Sequence, residues 1–159
     1  MFQQLDYSGE KTKDYELLIK QLDALSTGET NRIALLANAS ALLNQFLHEV
    51  NWVGFYLIED KELVLGPFQG LPACIRIPFG KGVCGTAVSE NKTQRIADVH
   101  QFPGHIACDG ASKSEIVIPV SINNKIIGVL DIDSPIHDRF DAIDQDCLEK
   151  FVAQLEKHL

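Results

Sequence analysis

Three of the four cysteines in this 159-residue sequence are placed where their thiols could do chemistry. Cys74 ends a turn, Cys84 stands between two glycines, and Cys108 lies in a long loop rich in turn-forming residues. Side chains at the ends of secondary-structure elements can converge at a surface site. Three such thiols suit a redox cycle in which one attacks a substrate, one resolves the oxidised product and one relays, so we predict thiol chemistry.

Two other interpretations of the same cysteines stay open at this point. Free cysteine is among the most buried residue types, so these thiols can be structural parts of a core. Cys74, Cys84 and Cys108 could instead hold zinc together with His105, although no Cys-x-x-Cys pair supports this. A position near a helix N-terminus for Cys84, and the nearby histidine for Cys108, would favour a thiolate. The fourth cysteine, Cys147, falls in the apolar stripe of the last predicted helix and is assigned to core packing.

A pair of aspartates, Asp131 and Asp133, continues an apolar strand pattern in which aspartate is disfavoured. The two-residue period of a strand puts both carboxyl groups on one face. The alternative is that the strand ends before them and that they cap a turn at Ser134-Pro135. Two carboxylates at one site raise the pKa of at least one of them, so this pair could hold a proton at neutral pH and act as an acid.

A third acid, Glu115, begins the opposite arm of a hairpin predicted around Asn123-Asn124. With a regular two-residue turn, Glu115 faces Ile132 and points away from the two aspartates. A three-residue loop, a bulge, or departure from the ladder before Glu115 would bring it opposite Asp133. A joint role for the three acids therefore requires one of these irregularities.

Two aromatic residues, Trp52 and Tyr56, lie four positions apart on one predicted strand and therefore share a face. Such a stripe is typical of a core. It could also line an apolar pocket, where a methyl thioether group packs well against aromatic edges.

The elements that must position these residues follow from the periodicity of apolar residues. One helix carries Tyr15 to Leu25, a second begins near Thr30 with Ile33 on its apolar face, and a last helix carries Phe140 to Leu155. Strands are predicted at 52–58, 62–68, 74–77, 94–97, 115–121 and 125–133, with a short helix after Cys84 and a loop over 98–113. We therefore predict an α+β domain with a mainly antiparallel sheet whose terminal helices cover one face.

Composition and charge narrow the class of protein. The net charge is −8 and no basic cluster exceeds two residues, which disfavours binding to nucleic acid. The sequence has no run of about 18 apolar residues, so no membrane span is predicted, and the N-terminal residues 1–6 do not look like a secretory leader. We expect one domain over residues 1–159, a cytoplasmic location, and neither a cofactor nor a resident metal ion.

Several segments together resemble the free methionine-(R)-sulfoxide reductases, a family of GAF-domain proteins. The match covers about residues 30–155, and its motifs are Asn51-Trp52-Val53-Gly54-Phe55-Tyr56, Leu65-Gly66-Pro67-Phe68-Gln69-Gly70, Ala73-Cys74, Gly82-Val83-Cys84-Gly85, Asp98-Val99, Phe102-Pro103-Gly104-His105-Ile106-Ala107-Cys108-Asp109, Ser114-Glu115-Ile116-Val117 and Val129-Leu130-Asp131-Ile132-Asp133-Ser134. The resemblance implies a six-stranded GAF sheet, a homodimer, and reduction of the free amino acid rather than of oxidised methionine in proteins. It also implies recycling by thioredoxin and a role in oxidative stress.

The chemistry implied by this resemblance assigns roles to the candidate residues. The Cys108 thiolate attacks the sulfoxide sulfur, and Cys74 resolves the sulfenic acid to an intramolecular disulfide; Cys84 is an alternative nucleophile or relay. Glu115, Asp131 and Asp133 protonate the sulfoxide oxygen, and Trp52, Tyr56 and Asp109 bind the substrate. The rival function is a GAF module that binds a small ligand and signals.

Overall fold

The secondary structure follows the predicted order. The computed structural model describes Phe2 and residues 5–159. Its helices are α1 (Lys11–Ser26), α2 (Arg32–Phe46), α3 (Gly82–Glu90) and α4 (Ala142–Glu156), with a 3-10 turn at Val99–Gln101. Its strands are β1 (Trp52–Glu59), β2 (Glu62–Gln69), β3 (Arg76–Pro78), β4 (Gln94–Ile96), β5 (Ser114–Ile122) and β6 (Lys125–Ser134).

The six strands form one sheet in the order β3-β2-β1-β6-β5-β4, and each neighbouring pair is antiparallel. Hairpins connect β1 to β2 and β5 to β6, while β1 and β6 pair in the centre of the sheet. The predicted six-stranded antiparallel α+β fold is therefore confirmed. The third strand begins at Arg76, two residues later than predicted, so Cys74 precedes it.

The helices α1, α2 and α4 pack on one face of the sheet, as the sequence predicted for the terminal helices. Their apolar residues join those of β1, β5 and β6 in one core, which includes Cys147 at 4% exposure. Ile33 was expected on the buried face of α2 but is 69% exposed, because this residue lies in the first turn of the helix and faces outward. The helix α3 and the loop before β5 lie on the other face, where a second core forms.

The register of the β5–β6 hairpin decides where its acids lie. Asn123 and Asn124 adopt left-handed φ angles of 51° and 62°, as a tight two-residue turn requires. The register then shifts by one residue between Val120 and Ser121, and this bulge places Glu115 opposite Asp133. The strand continues to Ser134, so the alternative in which it ended before Asp131 is wrong.

Two glycines make room for the indole of Trp52. A Cβ atom at Gly54 would stand 2.7 Å from the Trp52 ring and closer still to Phe68. A Cβ atom at Gly70, where φ is +137°, would lie 2.6 Å from the same indole. Side chains at these positions would displace the ring, so Gly54 in β1 and Gly70 directly after β2 fix one wall of the space on this face.

Among the described residues, no helix has the length and apolar character needed to cross a membrane. Met1, Gln3 and Gln4, on which the expectation of no leader partly depends, lie outside the described residues.

Candidate active site

A pocket opens on the sheet face that α3 covers, between β1, β5, β6 and the loop that carries Cys108. Its walls bring together eight of the nine predicted site residues, namely Trp52, Tyr56, Cys84, Cys108, Asp109, Glu115, Asp131 and Asp133. The ninth, Cys74, joins them through its bond to Cys108. The free space inside is about 30 Å³, which holds a few water molecules but not an amino acid.

The cysteines Cys74 and Cys108 form a disulfide, with their Cα atoms 5.4 Å apart. The bond ties the segment before β3 to the loop before β5. Cys84 and Cys147 remain free thiols. Because the disulfide uses two of its four proposed ligands, the zinc interpretation based on Cys74, Cys84, Cys108 and His105 does not fit this structure.

The aromatic residues Trp52 and Tyr56 line one wall of the pocket and also hold the segment that carries Cys74. The rings of Trp52 and Tyr56 stack with centroids 5.8 Å apart, and both side chains are almost fully buried. The Tyr56 hydroxyl donates a hydrogen bond to the carbonyl oxygen of Cys74 at 2.8 Å. The Trp52 indole N–H donates to the carbonyl oxygen of Leu71 at 3.1 Å. These residues therefore position the disulfide as well as lining the pocket.

The buried thiol of Cys84 lies in the first turns of α3, but its environment differs from the expected one. Burial is the main cause that raises its pKa well above the usual range, followed by the negative charges that Asp131 and Glu115 can carry. Its Sγ lies 4.0 Å from Glu115 Oε1. The expectation that the start of α3 would favour a Cys84 thiolate is therefore wrong, because burial among acids outweighs the helix terminus.

The three acids lie side by side beneath this thiol. Burial, and next the charge of Asp131, raise the pKa values of Glu115 and Asp133 well above the usual range. Burial also raises the pKa of Asp131 to about 6, although hydrogen bonds received from Glu115 and Cys84 oppose this rise. The pocket thus retains carboxyl protons at neutral pH, which general-acid chemistry requires.

One oxygen of this cluster has no partner. Asp131 Oδ1 is buried and accepts no hydrogen bond from the described residues, while Asp131 as a whole is 6% exposed. Buried polar atoms in proteins are nearly always paired. An unpaired carboxyl oxygen at the wall of a cavity is thus a place where a bound ligand can supply a donor or a cation.

Asp109 is held by Asn51 and Ala111, which were not among the predicted site residues. Asn51 Nδ2 donates to Asp109 Oδ2 at 2.9 Å and to Ser112 Oγ at 3.1 Å. Asp109 Oδ1 accepts from the backbone N–H of Ala111 at 2.9 Å. Asn51, which directly precedes Trp52, therefore attaches the Cys108 loop to the start of β1.

His105 also lines the pocket, although its sequence position suggested only a partner for Cys108 or a zinc ligand. Its Nε2 lies 3.8 Å from Glu115 Oε2, and its side chain is 15% exposed. Burial, followed by repulsion from His100, lowers the pKa of His105. The ring is therefore neutral at pH 7, and its three-residue spacing from Cys108 was the available sequence signal.

Comparison with known proteins gives three close likenesses. The GAF domain family matches residues 31–159. The "Free methionine-R-sulfoxide reductase" of Escherichia coli is 60% identical over 94% of this chain and 90% of its own length. Two solved structures named as substrate complexes match over 99% of this chain: fRMsr of Staphylococcus aureus (58% identity, 99% of that chain, TM-score 0.88) and the free methionine-R-sulfoxide reductase of Neisseria meningitidis (41%, 95% of that chain, TM-score 0.94).

Proposed function

The chain belongs to the free methionine-R-sulfoxide reductase family of GAF domain proteins, and from this premise we propose that it reduces free L-methionine (R)-sulfoxide to L-methionine. The observation that carries the proposal is the Cys74–Cys108 disulfide at the wall of a pocket floored by three buried acids. A thiol reductase that resolves its sulfenic acid with a second cysteine passes through such a disulfide, and the sulfoxide oxygen needs a proton donor beside it.

In the first step, the Cys108 thiolate attacks the substrate sulfur while the sulfoxide oxygen receives a proton. The oxygen passes to Cys108 as a sulfenic acid, and methionine leaves with its sulfur reduced by two electrons. Cys108 is a better candidate for the nucleophile than Cys84, because the Cys84 thiol is buried among acids that oppose its ionisation. Cys84 then serves as a neutral donor in the pocket wall.

The proton comes from the acid cluster. Glu115 and Asp133 lie opposite one another on neighbouring strands, and Asp131 lies on the same face of β6. Because burial holds protons on Glu115 and Asp133, these two acids can hydrogen-bond the sulfoxide oxygen and then protonate it as the sulfur–oxygen bond breaks.

The second step regenerates the enzyme. The Cys74 thiol attacks the Cys108 sulfenic acid, releases water and forms the disulfide. A dithiol reductant, which we propose is thioredoxin, exchanges with this bond and returns both thiols. Because the space in the disulfide form is too small for an amino acid, we infer that reduction frees the Cys108 loop to admit the substrate.

Substrate selection follows from the side chains that line the pocket. The faces of Trp52 and Tyr56 offer an apolar surface for the S-methyl end. Asp109, held by Asn51, offers a carboxylate for the substrate ammonium group. A residue within a peptide chain has no free ammonium group and could not be enclosed, so we propose a preference for the free amino acid. We further propose a cytoplasmic, single-domain homodimer that repairs oxidised methionine.

The test supplies each sulfoxide epimer separately with thioredoxin, thioredoxin reductase and NADPH. We expect NADPH oxidation with the R epimer and none with the S epimer or with oxidised methionine in a peptide. Cys147→Ser is a matched control with an unchanged rate, since this thiol lies on the other face of the sheet. NADPH oxidation with the S epimer only, or with neither epimer, would refute the proposal.

A further inference from the structure

The acid pocket contains a set of side chains with the composition of a metal site. Cys84 from α3, Glu115 from β5 and Asp131 from β6 each offer one ligand atom, and these atoms all lie within 4.8 Å of one another. All three side chains are buried, and the thiol Sγ is 4.0 Å from Glu115 Oε1. The zinc interpretation from sequence shares Cys84 with this set, but two of its other ligands, Cys74 and Cys108, are joined in the disulfide.

A second and independent observation points to a cation. Asp131 Oδ1 is a buried acceptor that receives no hydrogen bond from the described part of the chain. It belongs to one of the three ligand residues. A metal ion would satisfy it directly, whereas the neighbouring carboxyl groups repel it once they ionise.

The donor set selects the type of ion. One thiolate and two carboxylates, with one further position for His105 or water, form the mixed sulfur and oxygen environment that Zn²⁺ accepts. A tetrahedral site with Zn–S of about 2.3 Å and Zn–O of about 2.1 Å separates its ligand atoms by roughly 3.5 Å, so small side-chain movements suffice. Mg²⁺ and Ca²⁺ require about six oxygen ligands, which this pocket does not provide.

We propose that Zn²⁺, or another thiophilic divalent ion, binds to Cys84, Glu115 and Asp131 and thereby inhibits the enzyme. Binding breaks the Cys84 S–H bond and the O–H bond of any ligand carboxyl group that is protonated, releases these protons to solvent, and forms one metal–sulfur and two metal–oxygen bonds. The ion occupies the position in which the acids face the sulfoxide oxygen, so it competes with the substrate. The inhibition rests on the proposed reductase function, but the binding does not.

The experiment uses the full chain in its disulfide form, because Cys74 and Cys108 then cannot act as ligands and only Cys84 and Cys147 remain as thiols. Co²⁺ is the spectroscopic probe, since a cobalt–thiolate bond produces a near-ultraviolet charge-transfer band. We expect this band and one bound ion per chain by equilibrium dialysis. Zn²⁺ should displace the Co²⁺ and abolish the band.

Matched variants decide between this pocket and other sites. Cys84→Ser should abolish the band, Asp131→Asn should weaken binding at least tenfold, and Cys147→Ser should change neither. Binding that is equally tight in the wild type, Cys84→Ser and Asp131→Asn would mean a surface site such as the exposed pair His100 and His137, and would overturn the proposal. So would the absence of binding, or a band that disappears only in Cys147→Ser.

A separate measurement connects binding to activity. Zn²⁺ should raise the apparent KM for methionine (R)-sulfoxide without lowering the maximal rate. If the chain binds the ion but reduces neither epimer, the proposed function fails while the metal site stands. If it reduces the R epimer and binds no ion, only the metal site fails.

Discussion

Replacing Asp131 with asparagine should make the protein more stable and less active, and the gain in stability should depend on pH. In the folded chain burial raises the pKa of Asp131 to about 6, against an ordinary value of 3.8. Between these two values the folded state retains a proton that the unfolded state releases. The free energy of unfolding of the wild type therefore falls as the pH rises through this range.

The size of the effect follows from the shift in pKa. Each pKa unit corresponds to about 1.4 kcal/mol, so a shift of roughly two units amounts to about 3 kcal/mol. The contribution that favours the fold is complete below pH 3.8 and is lost by the time the pH passes 6. Asparagine has no proton to lose, so Asp131→Asn should match the wild type near pH 4 and exceed its stability by about 3 kcal/mol at pH 8.

The assay is urea unfolding of both proteins, with the Cys74–Cys108 disulfide intact, at several pH values from 4 to 8. Asp141→Asn is a control of opposite sign, because the backbone N–H of Asp144 lowers the pKa of the Asp141 carboxyl to about 2. Its stabilising charge is lost only in strong acid. A stability difference between Asp131→Asn and the wild type that stays constant with pH, or a less stable variant at pH 8, would refute this account of the buried acid.

Three other outcomes follow from the same site. Cys108→Ser should abolish methionine release in a single turnover, whereas Cys74→Ser should still release one methionine per chain; release by Cys108→Ser would show that the roles are wrongly assigned. Glu115→Gln should lower kcat/KM by about 10²–10⁴-fold, the range expected for loss of a general acid. An unchanged kcat/KM would show that Glu115 does not act as a general acid. Reduction of the disulfide, which closes a loop of 34 residues, should lower the free energy of unfolding by about 4 kcal/mol at 25 °C, measured against Cys74→Ser, which should be unaffected by the reductant.

The sheet could be predicted from the sequence because its strands are short apolar runs and the hairpin turns between them use residues suited to left-handed backbone. The Asn123-Asn124 turn, the shared face of Trp52 and Tyr56, and the shared face of Asp131 and Asp133 all follow from local periodicity. Local patterns do not determine where a ladder gains an extra residue. The bulge beside Val120 depends on how β6 packs between two other strands, so the sequence left the position of Glu115 open.

The environment of each thiol was harder to predict than its approximate position. The short distance in sequence from Cys84 to the start of α3 suggested a thiolate, but the acids that oppose its ionisation come from β5 and β6. These contacts join residues about 30 or more positions apart and become visible only once the sheet is assembled. The attachment of Asp109 by Asn51 is non-local in the same way. The pairing of Cys74 with Cys108 was predicted from family resemblance, because spacing alone did not show which two of the three thiols form the disulfide.

Protonation of acids in the cluster favours both the Cys108 thiolate and the protonation of the sulfoxide oxygen in the proposed reaction. An ionised carboxylate near Cys108 would repel the thiolate and reduce its population, while a protonated carboxyl group can donate to the sulfoxide oxygen. Burial among Trp52, Tyr56 and α3 keeps protons on Glu115 and Asp133 at neutral pH. Asp131, with a pKa of about 6, instead carries the buried charge whose cost to stability Asp131→Asn should reveal. Raising the pH ionises the attacking thiol but also ionises the acid that must protonate the leaving oxygen. The rate should therefore pass through a maximum, with an alkaline limb that moves when an acid of the cluster is replaced.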